Sequence, residues 1–171
     1  SDFLKFVIVA LFGININIIF FFKGLEKTSA LSTSIIIALE PIFILLASLI
    51  FLKEKFNKNI LWGIFISFIG FIIIIIKTII NEDKSSSLLG DLFIIIAVIS
   101  YAIQTIYTKN LSVKYPAETI TFWSFLIGSF FFLPFLISDA LQPNWLKGLT
   151  YQGIIGIFYG ALGSSAIAYF L

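Results

Sequence analysis

The sequence contains no cysteine, histidine, methionine or arginine. Without cysteine and histidine, the chain cannot form thiolate or imidazole metal sites, or nucleophile and base pairs made from those side chains. Disulfides are excluded for the same reason. No phosphate-binding glycine loop is present either, so we expect no metal, no cofactor and no enzymatic activity.

Charge is also scarce. Only 12% of the residues are charged and 60% are hydrophobic, whereas soluble domains average about 25% and about 45–50%. The mean hydropathy is +1.10. A soluble chain of 171 residues could not bury this much apolar surface, so its solvent must be the lipid bilayer. The net charge of +2 comes without a basic stripe, so nucleic acid is not an expected partner.

Six apolar runs reach the roughly 20 residues that a membrane-spanning helix needs. We therefore predict an all-α integral membrane protein with six transmembrane helices in this chain. The predicted spans are residues 3–22, 30–52, 59–76, 90–108, 118–137 and 151–171. Lysines cluster in loop 53–58, which favours a cytoplasmic position for that loop and a multi-pass protein of the cell (cytoplasmic) membrane.

The first and last spans resemble each other. Residues 11–22 align without gaps on residues 158–169, with Gly13 opposite Gly160. An odd number of crossings separates the two segments, so the copies would have opposite orientations in the membrane. Inverted repeats of this kind are typical of secondary transporters.

Glu40 and Pro41 lie in the middle of the second predicted span. A carboxylate there costs about 2.5–3.5 kcal/mol on the insertion scale, while the twelve Ile, Leu and Phe residues around it return about 4–7 kcal/mol in total. Pro41 removes a backbone donor and favours a bent or loosened helix. Such a break is tolerated only where protein or a water-filled cavity satisfies the freed groups.

Two roles for Glu40 stay open from these residues. It lines a cavity, where it contacts a solute or exchanges a proton, or it is protonated and bonds a neighbouring carbonyl with no further function. Glu54, at the end of the same span, opposes the helix dipole; a solvated charge or a cap for another helix is the simpler interpretation.

Further polar side chains within the spans are candidates for a cavity lining. Asn15 and Asn17 lie in the first span, and Ser100, Gln104 and Tyr107 share one face of the fourth by their i, i+4, i+7 spacing. The alternative is that the amides form hydrogen bonds between helices and that the tyrosine anchors the chain at the interface.

Short motifs occur in a defined order along the chain. LEP at 39–41 is followed by LKE at 52–54 and by a glycine-containing span, GDLF follows at 90–93, and SSAIAYFL ends the chain at 164–171. Together they resemble EamA-type repeats of the drug/metabolite transporter superfamily. Lys53 departs from the usual Leu-Gly-Glu pattern and leaves the helix packing there open.

The resemblance implies a ten-helix bundle made of two inverted five-helix repeats. This chain would be the middle piece of a longer protein, with residues 1–80 in the first repeat and 88–171 in the second. The resemblance also implies secondary transport of a small organic solute, with Glu40 in the cavity or in coupling, Pro41 as the helix break and Glu54 as a structural residue. Proton coupling and assembly as a homodimer stay open.

Two other classes of protein remain as alternatives. A non-transporting membrane scaffold subunit would not need Glu40. A membrane-embedded lipid-modifying enzyme would need clustered acids at the membrane surface, and the only adjacent pair of acids is in NED at 81–83.

Overall fold

The computed structural model describes residues 2–52, 62–70, 72, 87–141 and 150–160, and within these ranges the regular structure is helical, with no strand. Four described helices are long and apolar enough to cross a membrane, and they agree with four of the predicted spans to within a few residues. They are Asp2–Leu25, Ala30–Phe51, Leu88–Ser112 and Ala117–Ser138. The other two predicted spans lie partly outside the described residues.

The first spanning helix contains a wide turn near its middle. It consists of α1 (Asp2–Ala10), a π-helical segment (Leu11–Ile16) and α2 (Asn17–Leu25). The backbone N–H of Asn17 is directed at the carbonyl of Phe12, five residues back, which is the π pattern. Single π turns inside α-helices often mark functional positions.

The second spanning helix is divided in two. Helix α3 (Ala30–Ile37) begins with the Ser29 hydroxyl accepting a hydrogen bond from the Ser32 N–H at 3.0 Å. Helix α4 (Glu40–Phe51) starts after the two-residue turn at 38–39, with Pro41 in its first turn. The turn precedes Pro41 directly, and the missing N–H of Pro41 falls where a helix has no use for it.

Four more helices follow these two spans in the described part of the chain. Residues 62–70 form α5. Helix α6 (Leu88–Ser112) is capped by Ser87, α7 (Ala117–Ala140) continues through Pro134, and α8 (Tyr151–Phe158) is capped by Thr150.

Helix α6 is the centre of the described bundle. Its buried residues contact the first span on one side and α3 and α4 on another. Ile94 and Val98 pack against Ile36 and Phe43, and Ala102 and Ile106 pack against Ala47 further along. Helices α4 and α6 therefore run in the same direction. Burial of these side chains between helices, rather than in lipid, fixes the register of α6.

The first span runs antiparallel to α6 and is joined to it at both ends. At one end, the Ser87 N–H donates to the Lys27 carbonyl at 3.1 Å, and the Thr28 hydroxyl bonds the Asp91 carboxylate. Gly90 lies against the Lys27 backbone, where a Cβ atom would come within 2.7 Å of the carbonyl carbon. A side chain at position 90 would therefore separate the two helices.

At the other end, Asp2 contacts the loop that follows α6. Lys114 Nζ lies 2.5 Å from Asp2 Oδ2, and the Tyr115 hydroxyl donates to the same oxygen at 3.0 Å. The hydrogen bond of Lys114 to Asp2, and to a smaller extent its own contact with Tyr115, raise the pKa of Lys114. The hydrogen bonds of Asp2 with Lys114 and Tyr115 place Asp2 and the loop 113–116 at the same end of the bundle.

Candidate functional site

The first span meets α6 and α7 through a line of polar side chains, which we call the polar seam. Its members come from the π segment, the start of α2 and one face of α6. They are Asn15, Asn17, Ser100, Gln104 and Thr108. The three α6 residues are spaced i, i+4, i+8, so they occupy successive turns of the same face.

Asn15 is the most constrained member of the polar seam. Its side chain is only 5% exposed, and its Nδ2 donates to the carbonyl of Gly128 on α7 at 3.0 Å. A carbonyl can only accept, so this bond also fixes which way the amide faces. Asn15 Oδ1 is consequently directed elsewhere, and it is buried without a hydrogen-bond partner among the described residues.

Gln104 faces the π segment at Gly13. An added Cβ on Gly13 would overlap the Gln104 side chain, so the absence of a side chain there makes room for the amide. Gln104 Oε1 is buried and accepts no hydrogen bond within the described part of the chain. The Thr108 hydroxyl, one turn further along α6, is buried and unpaired among those residues as well.

Asn17 and Ser100 complete the polar seam. Asn17 Nδ2 donates to the carbonyl of Ala97 on α6 at 2.9 Å, and Ser100 is buried one turn along from that carbonyl. Asn15 and Asn17 thus attach the first span to α7 and to α6 respectively. These bonds agree with the interhelical role that the sequence left open for the amides.

Glu40 lies at the depth of the Asn17–Ala97 bond, on a neighbouring side of α6. It falls between Ile36, which packs on Ile94, and Phe43, which packs on Val98. Its side chain is half-buried, and no hydrogen bond or ion pair joins it to another residue of the described part. Because Glu40 is the first residue of α4, the dipole of that helix favours its negative charge.

Two predicted residues do not join the polar seam. Tyr107 packs with Phe6, Val9, Leu111 and Ile120 in an apolar cluster at the end of α6. Glu54 lies outside the described residues, so its predicted structural role stays a prediction.

Sequence patterns missed two residues of these interfaces. Thr108 was missed because the i, i+7 spacing selects Tyr107, one residue earlier on α6. Thr28 was missed because a threonine in a polar loop carries no signal until its partner Asp91 is known. The polar stripe at i, i+4, i+8 was the available signal for Thr108.

A separate cavity of about 320 Å³ lies between the start of the first span and α7. Its lining is mostly aromatic and aliphatic, with one carboxylate. The lining residues are Asp2, Phe3, Phe6, Tyr115, Thr119, Trp123 and Ile127. It lies at the end of the bundle where Asp2 bonds Lys114, away from the middle of the polar seam.

The described part of the chain contains no group of three or more Asp and Glu side chains that could hold a metal ion. Long apolar helices that expose hydrophobic side chains outward and bury amides between them are the arrangement expected in a bilayer. The fold is that of a multi-pass helical membrane protein.

Comparison with known proteins gives the family. The model of the EamA-like transporter family matches residues 1–76 and again residues 88–171. The chain belongs to the EamA-like transporter family.

Relatives carry the same kind of name. An uncharacterized transporter of Archaeoglobus fulgidus is 29% identical over 171 residues, which are 99% of this chain and 57% of that protein. The uncharacterized transporter YetK of Bacillus subtilis is 29% identical over 149 residues, 86% of this chain and 45% of that protein. An uncharacterized transporter of Haemophilus influenzae is 28% identical over 163 residues, with 91% and 53% covered.

The chain thus spans about half the length of the curated relatives that it matches. No solved structure matches it.

Proposed function

We propose that the chain is the central part of a secondary transporter that moves a small organic solute across the cytoplasmic membrane by alternating access. The observation that carries this proposal is the polar seam, a line of buried amides and hydroxyls at mid-depth of an apolar bundle. Unpaired polar atoms in a membrane interior are costly, and a protein retains them where a solute or an ion uses them.

The divided second span supports the same proposal. Transporters bind solutes and ions near the membrane midplane at discontinuous helices, where a helix N-terminus faces the site. Helix α4 begins at Glu40 in mid-span, and its depth matches that of Asn17. Glu40 is the residue we assign to solute contact or to proton coupling.

Two observations support a pair of inverted repeats with residues 1–80 in one and 88–171 in the other. The family model matches twice, once in each of these segments. Moreover, Tyr159 and Gly160 are π-helical, and the repeat alignment sets them opposite Phe12 and Gly13 of the first π segment. A shared irregular turn at aligned positions is a more specific likeness than shared apolar residues.

The proposal is tested with the full-length protein in proteoliposomes and a panel of amino acids, amines and organic acids. We expect saturable uptake of at least one solute, and its loss in Glu40→Gln with unchanged expression and reconstitution. Undiminished uptake by Glu40→Gln would show that the protein is a transporter but that Glu40 does not take part in transport. If no solute moves while the protein is folded, the scaffold interpretation replaces transport.

Proton coupling is tested with the same preparation, and the side of loop 53–58 is tested in intact cells. An imposed pH gradient should drive uptake in the wild type but not in Glu40→Gln, if Glu40 carries the proton. This chain has no native cysteine. Once any cysteine elsewhere in the full-length protein is replaced by serine, a single cysteine placed in loop 53–58 reports its side by labelling with an impermeant maleimide in intact cells. Labelling only after the membrane is permeabilised is the result expected for a cytoplasmic loop.

A further inference from the structure

The cavity between the start of the first span and α7 has a polar end and an apolar end, and we call it the Trp123 cavity. Its α7 wall is formed by Thr119, Trp123 and Ile127, which are spaced i, i+4, i+8 and so lie on one face of that helix. From Thr119 to Ile127 the helix rises about 12 Å, whereas one leaflet of the hydrocarbon core is about 15 Å thick. The lining of the cavity therefore extends from one membrane surface across most of one leaflet.

The Trp123 cavity is closed on its inner side and at its deep end. Phe6 forms the inner side as a buried member of an apolar cluster. At the deep end, Gly128 of α7 lies so close to the first span that an added Cβ atom would come within 3.0 Å of the Ile14 side chain. Phe3 and Trp123 are exposed, so the open side is on the outer surface of the described helices, where lipid is the expected neighbour.

Two lysines flank the one carboxylate at the polar end of the cavity. Lys114 Nζ lies 2.5 Å from Asp2 Oδ2, and Lys5 Nζ lies 3.9 Å from Asp2 Oδ1. The Tyr115 hydroxyl donates to Asp2 as well. A cationic ligand would have to displace a lysine from Asp2, whereas an anion meets an excess of positive charge. The Lys114 side chain is 67% exposed, so an anionic group can reach it.

Positive charge also predominates at this end of the described bundle. The described charged residues there are three lysines and two acids, namely Lys5, Lys109, Lys114, Asp2 and Glu118. Helix α4 ends on the same side as α6, and the lysine-rich loop 53–58 follows it in the sequence. We predict that this loop is cytoplasmic, which assigns the Trp123 cavity to the cytoplasmic leaflet. Anionic lipids of that leaflet attract basic segments next to the membrane.

We propose that the Trp123 cavity binds an anionic phospholipid of the bilayer. The phosphate lies at Lys114 and Lys5, and the upper part of one acyl chain lies between Trp123 and Phe6. The cavity volume of about 320 Å³ is near the lower limit of ligand pockets, which measure about 300–1,000 Å³, and it suits part of one chain rather than a whole lipid. This site is separate from the polar seam and does not depend on the proposed function.

The test uses full-length protein in phosphatidylcholine vesicles that contain an increasing mole fraction of phosphatidylglycerol brominated on its acyl chains. Bromine quenches tryptophan fluorescence only at short range, and the contribution of Trp123 is the difference between the wild type and Trp123→Phe. Trp62 is 64% exposed, against 45% for Trp123, and does not line the cavity, so Trp62→Phe supplies the matched control. We expect quenching of Trp123 to saturate at a low mole fraction, and that of Trp62 to rise in proportion to the mole fraction.

Substitutions of lysine separate the headgroup contact from general attraction to the membrane. Lys114→Gln should raise the half-saturating mole fraction of phosphatidylglycerol about fivefold, because it removes one cation from the headgroup. Lys114→Arg keeps the charge and a donor for Asp2, so it should leave the half-saturating mole fraction almost unchanged. Lys23→Gln removes the same charge at the opposite end of the first span and should also have no effect. Equal saturation in Lys114→Gln and the wild type would overturn the proposal.

Three further outcomes would contradict the proposal. If brominated phosphatidylcholine quenches Trp123 with the same saturation, the cavity accepts any acyl chain and the anionic assignment is wrong. If quenching of Trp123 rises only in proportion to the mole fraction, as for Trp62, the lipid contact is unspecific. If neither lipid quenches Trp123 while both quench Trp62, another part of the full-length protein covers the cavity. None of these outcomes affects the proposed function, because solute uptake is measured separately.

Discussion

The side chain of Gln104 lies against Gly13, in the space where any other residue at position 13 would carry its Cβ atom. This contact joins the π segment of the first span to the middle of α6. It lies between two asparagine bonds that attach the same span to α6 and α7. Gln104 can therefore occupy the centre of the interface only because position 13 is a glycine.

Substitution of Gly13 by alanine should destabilise the protein through this one contact. The added methyl group forces Gln104 to move within a packed interface, which costs about 1–3 kcal/mol. Gln104→Ala should relieve the overlap, so the double variant is expected to lose about 0.5–3 kcal/mol less than the sum of the single losses. Thermal or denaturant unfolding of the full-length protein in detergent measures the cycle.

Gly24 provides the control for that cycle. A Cβ on Gly24 would overlap the side chain of Ile94, not that of Gln104. Gly24→Ala and Gln104→Ala should therefore be additive. Coupling as large as that between Gly13 and Gln104 would show that the effect spreads through the whole interface.

Gly90 should tolerate substitution less well than Gly13. A Cβ at position 90 would come within 2.7–2.8 Å of the Lys27 backbone and of the Thr28 nitrogen, and backbone atoms cannot rotate away as a side chain does. We expect Gly90→Ala to cost at least as much as Gly13→Ala, at about 1–3 kcal/mol. No substitution of a neighbouring side chain should restore it.

Leu88→Ala is the matched control in the same helical turn. The Leu88 side chain is 90% exposed, so its truncation should leave the unfolding midpoint in detergent almost unchanged. An equal loss in Leu88→Ala and Gly90→Ala would mean that the start of α6 is sensitive to any change, and that the contact with Lys27 is not decisive.

Asn15 allows a test of the direction of its hydrogen bond. Asn15→Asp keeps the shape of the side chain but replaces the donor with a carboxylate oxygen facing the Gly128 carbonyl. A charge buried in a membrane costs about 2.5–3.5 kcal/mol on the insertion scale. Asn15→Leu loses only the interhelical bond, which is worth about 0.6–1.7 kcal/mol.

We therefore expect the order wild type, Asn15→Leu, Asn15→Asp from most to least stable at neutral pH, with unfolding in detergent as the measurement. Acidification should reduce the difference in stability between Asn15→Asp and the wild type, because a protonated aspartate regains a donor. If Asn15→Asp is as stable as the wild type at neutral pH, the bond to Gly128 is absent in the membrane.

The sequence predicted the helices better than their contacts. Apolar runs of sufficient length have few alternatives to a spanning helix, which is why 30–52 and 118–137 agree closely with the described helices. A loosened helix near Pro41 was expected because proline lacks an N–H. The π turn at Leu11–Ile16 was not, since its apolar residues suit an ordinary helix equally well.

The role of the candidate site residues stays a prediction. Asn17 bonds α6 and Gln104 lies against Gly13 of the first span, whereas Asn15 bonds α7. The identity of the helix that each one contacts depends on packing between distant segments, which no local pattern records. From the sequence, a carboxylate at position 40 was expected to lie in a helix interior, where its insertion is unfavourable. Glu40 is instead the first residue of α4, where the helix dipole stabilises its negative charge.

Pro41 and Pro134 provide a comparison of two prolines in apolar helices. The second span is divided at Pro41, whereas α7 continues through Pro134. At Pro134, inside α7, alanine returns a backbone donor to the helix, so we expect stability to rise by up to about 3 kcal/mol. At Pro41, in the first turn of α4, the donor is not needed, and we expect a loss of up to about 1 kcal/mol because the unfolded chain gains freedom. Only Pro41→Ala should close the turn at 38–39 and join α3 to α4.

The functional consequence should then separate the two variants. Closing the turn moves Glu40 from a helix start into a helix interior and removes the discontinuity at mid-depth. We expect Pro41→Ala to lower uptake in proteoliposomes several-fold and to increase the hydrogen-exchange protection of residues 38–43. Pro134→Ala should leave uptake unchanged. Normal uptake in Pro41→Ala, together with increased protection, would mean that transport does not use the break, and Glu40 would then act from a continuous helix.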